Sequence, residues 1–185
     1  MTDRLEVEVS IPCPAWSKAV AKVGEVCRRA AVVAFQAAEA NGAPGGGPEG
    51  AARAEASLVL ADDALVRSLN KEYRGGEGPT NVLSFAGRPS PGAPFGEGAP
   101  AHPADAPELL GDVIVAFETA SAEAGGAGKN LTDHLCHLIV HGMLHLLGYD
   151  HRTEGESEHM ECLEVQALSR LGAANPYPDR GEKRP

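Results

Sequence analysis

The stretch His141-Gly142-Met143-Leu144-His145-Leu146-Leu147-Gly148-Tyr149-Asp150-His151 closes an apolar run that begins near Leu131. Leu135, Leu138, Ile139, Met143, Leu144, Leu146 and Leu147 recur at helical intervals, which predicts a core-facing helix. His141 and His145 stand four positions apart, so their imidazoles share one helix face, one turn apart. Gly148 then offers a residue able to turn left-handed at a helix C-terminus, so the chain can double back through Tyr149 and Asp150 and bring His151 to the same face.

Three neutral imidazoles suit Zn²⁺, and three protein ligands leave a fourth tetrahedral position for water or substrate, the pattern of a catalytic metal rather than a structural one. The expectation is one Zn²⁺ per chain, held by His141, His145 and His151. The alternative, ordinary polar residues ending a core helix, suits one histidine better than three on a single turn-and-return. His137 with His141 is a competing four-residue pair, but no following turn delivers a third ligand to it. His134 would lie about 16 Å along the axis from His145 at ~1.5 Å per residue, too far to share an ion. His134 and His137 are therefore expected to cap, hydrogen-bond or line the approach. His159 reads as a surface or helix-packing residue, and no role is expected for His102 in its Pro-rich surroundings.

Working outward, Leu110 to Phe117 is a nearly continuous apolar run, as a central strand should be. Leu5, Val7 and Val9 alternate with polar residues and predict a half-buried strand ending at Pro12, Ser57–Leu60 predicts a second, and Thr80–Phe85 a third. Helices are predicted over Trp16–Ala40, from Asp62-Asp63 through Tyr73, over Thr119–Ala124 and from about Thr153 to Leu171. Together these give one α+β domain over residues 1–174, a mixed sheet of about four strands with helices packed on it and the metal-binding helix across one face. Gly/Pro-rich loops are expected at about 42–54 and 88–107, the second long enough to be an insertion, and residues 175–185 read as a disordered tail.

A chain of 185 residues can bury a core without staples. Cys13, Cys27, Cys136 and Cys162 show no CxxC spacing, and Cys136 and Cys162 fall on apolar helix faces, so the four read as reduced small hydrophobes of a cytosolic protein. No signal peptide or bilayer-spanning run is visible, which predicts a soluble cytoplasmic protein with no membrane partner. The formal net charge of −10 argues against bulk attraction to nucleic acid, so a nucleic-acid substrate would need local positive charge at the site. Nothing in the sequence sets the oligomeric state.

HGMLHLLGYDH, with LNKEYRGGEGPTNVLSF and LLGDVIV upstream, resembles the YbeY family of bacterial rRNA-maturation endoribonucleases, the likeness running from Ser57 to Leu171. The resemblance implies a Zn²⁺-dependent, single-strand-specific endoribonuclease that acts on precursor rRNA near the small-subunit 3′ end and in ribosome quality control, with the ribosome or ribosomal proteins as partners. Carried over by position, the metal ligands fall on His141, His145 and His151 and the functional arginine on Arg74, so Arg74 and His141 are the residues expected at the chemistry. Family members commonly carry Lys-Asp after the Arg-Gly pair, where this chain has Gly76-Glu77, one positive charge fewer beside the phosphate site.

The histidine spacing also matches that of the metzincin peptidases, HExxHxxGxxH, but Gly142 replaces the Glu that peptide hydrolysis needs as its base. Phosphodiester cleavage needs less: a metal plus an arginine fork on two phosphate oxygens supplies electrostatic stabilisation as charge builds. Without the family, Arg74 would read as a solvated charge at a helix end. Asp112 and Asp150 are candidates to orient a ligand histidine, with turn capping as the alternative for each. Two other classes stay open, a zinc-bearing ribosome-assembly factor that binds without cutting and a zinc metallopeptidase.

Overall fold

The computed structural model describes residues 4–42, 53–87 and 106–177. The loops expected at 42–54 and 88–107, with His102, fall almost wholly outside the described residues, as does the tail beyond 177. In chain order the elements are β1 (Leu5–Ser10), α1 (Ala15–Ala19), α2 (Val23–Ala40), β2 (Ala54–Ala61), α3 (Asp63–Arg74), β3 (Val82–Ala86), β4 (Glu108–Ala116), α4 (Phe117–Gly126), α5 (Leu131–Leu146) and α6 (Glu154–Leu171). The strands form one four-stranded sheet in the order β1-β2-β4-β3. β1, β2 and β4 run parallel and β3 is antiparallel on the edge, the mixed α+β arrangement expected from the sequence.

The alternation of β4 decides what lies on each face. Val113 and Val115 point into the main core with Leu58, Leu135, Ile139 and Met143, placing α5 across that face. Ile114, one position out of phase, joins Leu83, Ala61 and Val66 in a second cluster beneath α3. α2 packs beside α5 through Ala30, Ala31, Ala34, Ala37 and Ala38, all fully buried, and this run of small residues lets α5 and α6 approach closely. Trp16 is buried outright, donates from Nε1 to the Ala61 carbonyl at 3.1 Å and meets Phe117 edge-to-face at 5.1 Å.

Several boundaries differ from the sequence expectation. The helix predicted over Trp16–Ala40 is two: Val20 is extended and buried, and Lys22 takes a left-handed φ of 51° before α2 begins. Ala21 and Lys22 are good helix formers, so tertiary packing overrides local propensity here. β2 begins at Ala54, inside the predicted loop, and α4 runs on through Gly125 and Gly126. Cys13, Cys27 and Cys136 are buried, whereas Cys162 is exposed on α6 rather than on an apolar face. Among the described residues, no helix is long and apolar enough to cross a membrane.

Candidate metal centre

Asn130 starts α5 by accepting from the Thr132 backbone N–H at 2.7 Å. Its end carries the ligands. Gly148 adopts a φ of 87°, its N–H bonds the His145 carbonyl at 3.1 Å, and the Tyr149 N–H bonds the Leu144 carbonyl at 3.0 Å. This paired closure satisfies the last helical carbonyls and reverses the chain, as the Gly148 position predicted. Tyr149 then anchors the reversal: its side chain is buried, its hydroxyl donates to the Ala38 carbonyl at 3.4 Å, and the His159 ring meets it edge-on at 5.6 Å. Asp150 accepts from the His151 N–H at 2.8 Å and so braces the turn, making no hydrogen bond to a histidine ring among the described residues.

The result is convergence. One ring nitrogen from each of His141, His145 and His151 lies within 4.8 Å of the other two, the arrangement a metal ion requires. The His141 and His145 Nε2 atoms are only 3.1 Å apart. Each Nδ1 is already spoken for: that of His141 lies 2.7 Å from the Glu164 carboxylate and that of His145 lies 3.0 Å from the Tyr149 carbonyl. Both acceptors call for a proton on Nδ1, which leaves two Nε2 lone pairs facing each other. A cation between them removes that repulsion, and tetrahedral Zn²⁺ with Zn–N of about 2.0–2.1 Å separates its nitrogens by about 3.3 Å. Burial, then the neighbouring His141 and His151, pushes the His145 imidazole down to about 4, so it is neutral and able to ligate at physiological pH. The donor set therefore fits the expected ion.

Behind the ligands sits a residue the sequence reading passed over. Glu164 on α6 is 1 % exposed; Oε1 accepts from His141 Nδ1, while Oε2 accepts from His137 Nε2 at 3.1 Å and from the Tyr177 hydroxyl. Burial alone would push its carboxyl up, but the hydrogen bonds from His137, His141 and Tyr177 outweigh it and hold it at about 2. A signal for it was present. Met160, Leu163, Ala167 and Leu168 are the inward residues of α6, and position 164 falls among them, so a carboxylate there is a charge on a buried stripe.

Arg74 ends α3 and reaches the same place. It lines a cavity of about 430 Å³ with Ser84, His145, Gly148, His151 and Arg152. Its Nη2 lies 3.5 Å from the Ser84 carbonyl, a long contact that steadies the guanidinium without using its remaining donors. Arg152 is a second cation on the cavity wall, held by Asp150 at 2.5 Å, and was not singled out from the sequence.

Other candidates fall elsewhere. Asp112 is exposed on the opposite sheet face, beside Glu6, Glu8 and Glu55, because Val113 takes the face toward α5; it orients no ligand. His134 pairs with Glu123 at 2.9 Å, and His137 is occupied by Glu164 rather than pairing with His141 around an ion. Residues 175–177, placed by the sequence reading in a disordered tail, are described, and Tyr177 packs onto His137 with ring centroids 5.7 Å apart. Gly142 faces away from the cavity: a Cβ there would lie 2.5 Å from Val113 Cγ1 and 3.1 Å from Ser84 Oγ. The missing peptidase base is thus a packing requirement of helix on sheet.

Residues 31–172 match the family model described as Endoribonuclease YbeY. Proteins of that name from Paramagnetospirillum magneticum and Parvibaculum lavamentivorans are 48% and 46% identical to this chain, over 96% and 94% of it and over 98% and 85% of their own lengths. A Thermotoga maritima protein solved in solution superposes with a TM-score of 0.51 at 15% identity, covering 97% of this chain and all of its own, a likeness of fold.

Proposed function

The chain belongs to the YbeY endoribonuclease family, and from that premise we propose that it is a Zn²⁺-dependent, single-strand-specific endoribonuclease of rRNA maturation and ribosome quality control. The observation that carries the metal assignment is the facing pair of Nε2 atoms on His141 and His145, each with its Nδ1 committed to an acceptor. Residues 1–174 form the catalytic domain in this reading, working in the cytoplasm on precursor rRNA, with the ribosome or its proteins presenting the strand.

His141, His145 and His151 hold the ion, which when bound supplies Lewis acidity to a phosphoryl oxygen and to the attacking water. Arg74 does the rest of the electrostatic work available from side chains. Its guanidinium presents paired donors to two phosphate oxygens, keeps its charge at every working pH and strengthens its hold as the phosphorane develops negative charge. Arg152, on the wall of the same cavity, offers the RNA backbone a second cation and adds affinity to a chain whose net charge is −10. Peptide hydrolysis is not supported, since position 142 points into the helix–sheet interface and offers no base to the cavity.

Purified protein incubated with precursor rRNA, with and without a chelator, tests the reading. Cleavage that stops with chelator and returns with Zn²⁺ supports it. Zinc binding with RNA binding but no cleavage would favour an assembly factor, and chelator-sensitive proteolysis would overturn the assignment.

A further inference from the structure

Among the described residues the most deeply buried charged side chain is Glu164, only 1 % exposed. A buried carboxylate is costly unless its lone pairs are used, and three donors from two parts of the chain use these: His141 and His137 on α5 and Tyr177 in the segment after α6. Such a cluster could be a structural brace alone. Two details point further. Of the two histidine bonds the one to His141 is the shorter, 2.7 Å against 3.1 Å for His137, and it falls on Nδ1, the ring nitrogen that does not face His145. The other two donors both converge on Oε2, which fixes the carboxylate plane and leaves Oε1 for His141.

We propose that Glu164 is the positioning residue of the metal centre: its carboxylate, locked by His137 and Tyr177, holds the His141 ring as the Nδ1–H tautomer with Nε2 turned to the ion, and so sets the zinc affinity of the site. A carboxylate accepting from the far nitrogen of a ligand imidazole fixes ring orientation and raises its basicity, and loss of such a partner typically lowers metal affinity 10–100-fold. His145 has a neutral carbonyl in the equivalent position, so of the helical pair only His141 has a charged acceptor behind it. Tyr177 connects this arrangement to the C-terminal segment, which makes the chain after α6 part of the site. His137 has the same role, and this accounts for the histidine that the spacing had offered as a rival ligand.

This inference rests on the metal reading above, and the test separates the two. Zinc affinity of the full chain is measured by competition with a chromophoric chelator for wild type, Glu164→Gln and Tyr177→Phe, together with the ¹⁵N shifts of the His141 ring in the metal-free proteins. Gln keeps an acceptor of the same reach but removes the charge. Glu164→Gln should bind zinc 10–100-fold more weakly, with its His141 shifts moved from the Nδ1–H pattern toward a tautomer mixture; Tyr177→Phe should move both readouts in the same direction by less. Wild-type affinity and shifts in a folded Glu164→Gln protein would overturn the proposal. If that variant does not fold, Tyr177→Phe decides, and unchanged affinity and shifts there overturn it equally. A wild type that takes up no zinc would defeat the metal reading itself, while the ring shifts still report whether Glu164 fixes the tautomer.

Discussion

His145 donates from Nδ1 to the carbonyl of Tyr149 at 3.0 Å, so the residue that anchors the chain reversal also orients a ligand on the helix before it. The buried tyrosine, the left-handed Gly148 and the third ligand His151 therefore form one unit with the helical pair. The protein purified without chelator should carry close to one zinc per chain. His145→Ala, which leaves two imidazoles, should lose it. Elemental analysis giving full zinc in that variant would refute the site.

Arg74 should separate charge from shape. Arg74→Ala is expected to slow RNA cleavage on the order of a hundredfold, and Arg74→Lys to recover only part of it, because a point charge replaces a planar fork. Zinc content and melting temperature should stay near wild type, since among the described residues the guanidinium is held only by the long contact to Ser84. Equal cleavage by all three proteins would reduce Arg74 to a solvated charge.

Arg152 should behave differently. As a backbone contact its loss should raise the apparent KM for RNA and lower the slope of log K against log salt by about 1, with kcat changed by no more than a few-fold. Arg152 is itself 80 % exposed, so its pairing with the partly buried Asp150 contributes little to stability. Salt titration of RNA binding by Arg152→Ala, if superimposable on wild type, would remove it from the RNA path.

Gly142 is expected to resist even the smallest side chain. Alanine in a helix gains about 1 kcal/mol over glycine, but the added methyl meets Val113, fully buried in the sheet, at 2.5 Å. Overpacking of this kind costs typically 1–3 kcal/mol, so Gly142→Ala should be destabilised by about 1 kcal/mol and Gly142→Val by more. Denaturant unfolding measures this directly, and a double-mutant cycle with Val113→Ala should show favourable coupling between the two changes. A Gly142→Ala protein more stable than wild type would show that the interface gives way.

The cysteines offer a test of packing. Burial, with Cys136 nearby, pushes the Cys27 thiol up to about 12, and burial, with Asp133 nearby, pushes Cys136 up to about 11. A raised thiol pKa means less thiolate at any pH below it, and thiolate is the reactive form. In the native protein at pH 8 a disulfide reagent should therefore titrate Cys162 promptly and leave Cys27 and Cys136 until denaturant is added. Rapid reaction at more than one site would indicate that α2 and α5 are not packed as described.

How much of this was legible in the sequence follows the range of each interaction. The convergence of His141, His145 and His151 was readable because it is local: a four-residue helical spacing and a glycine-mediated return are both properties of adjacent residues. The strands showed for the same reason, in the alternation of β1 and the apolar run of β4. What stayed hidden is long-range. Glu164 lies 23 positions from His141; the buried stripe of α6 marks it as an inward charge, but nothing nearby in sequence says which histidines it meets. Tyr177 was assigned to a tail because no periodicity follows Gly172, yet it is held by side chains of two helices. The break at Lys22 sits among good helix formers and has its cause in where Val20 must be buried.

The locality of the three ligands has a thermodynamic side. His141, His145 and His151 belong to one short segment, so the loop that must close to bring them together is small even in the unfolded chain. Unfolded protein should then retain measurable affinity for zinc, and ligand-linked stabilisation depends on the difference between native and unfolded binding. Added zinc would consequently raise the melting temperature by less than its native-state affinity alone implies. The shortfall measures how much of the site the segment carries without the rest of the fold.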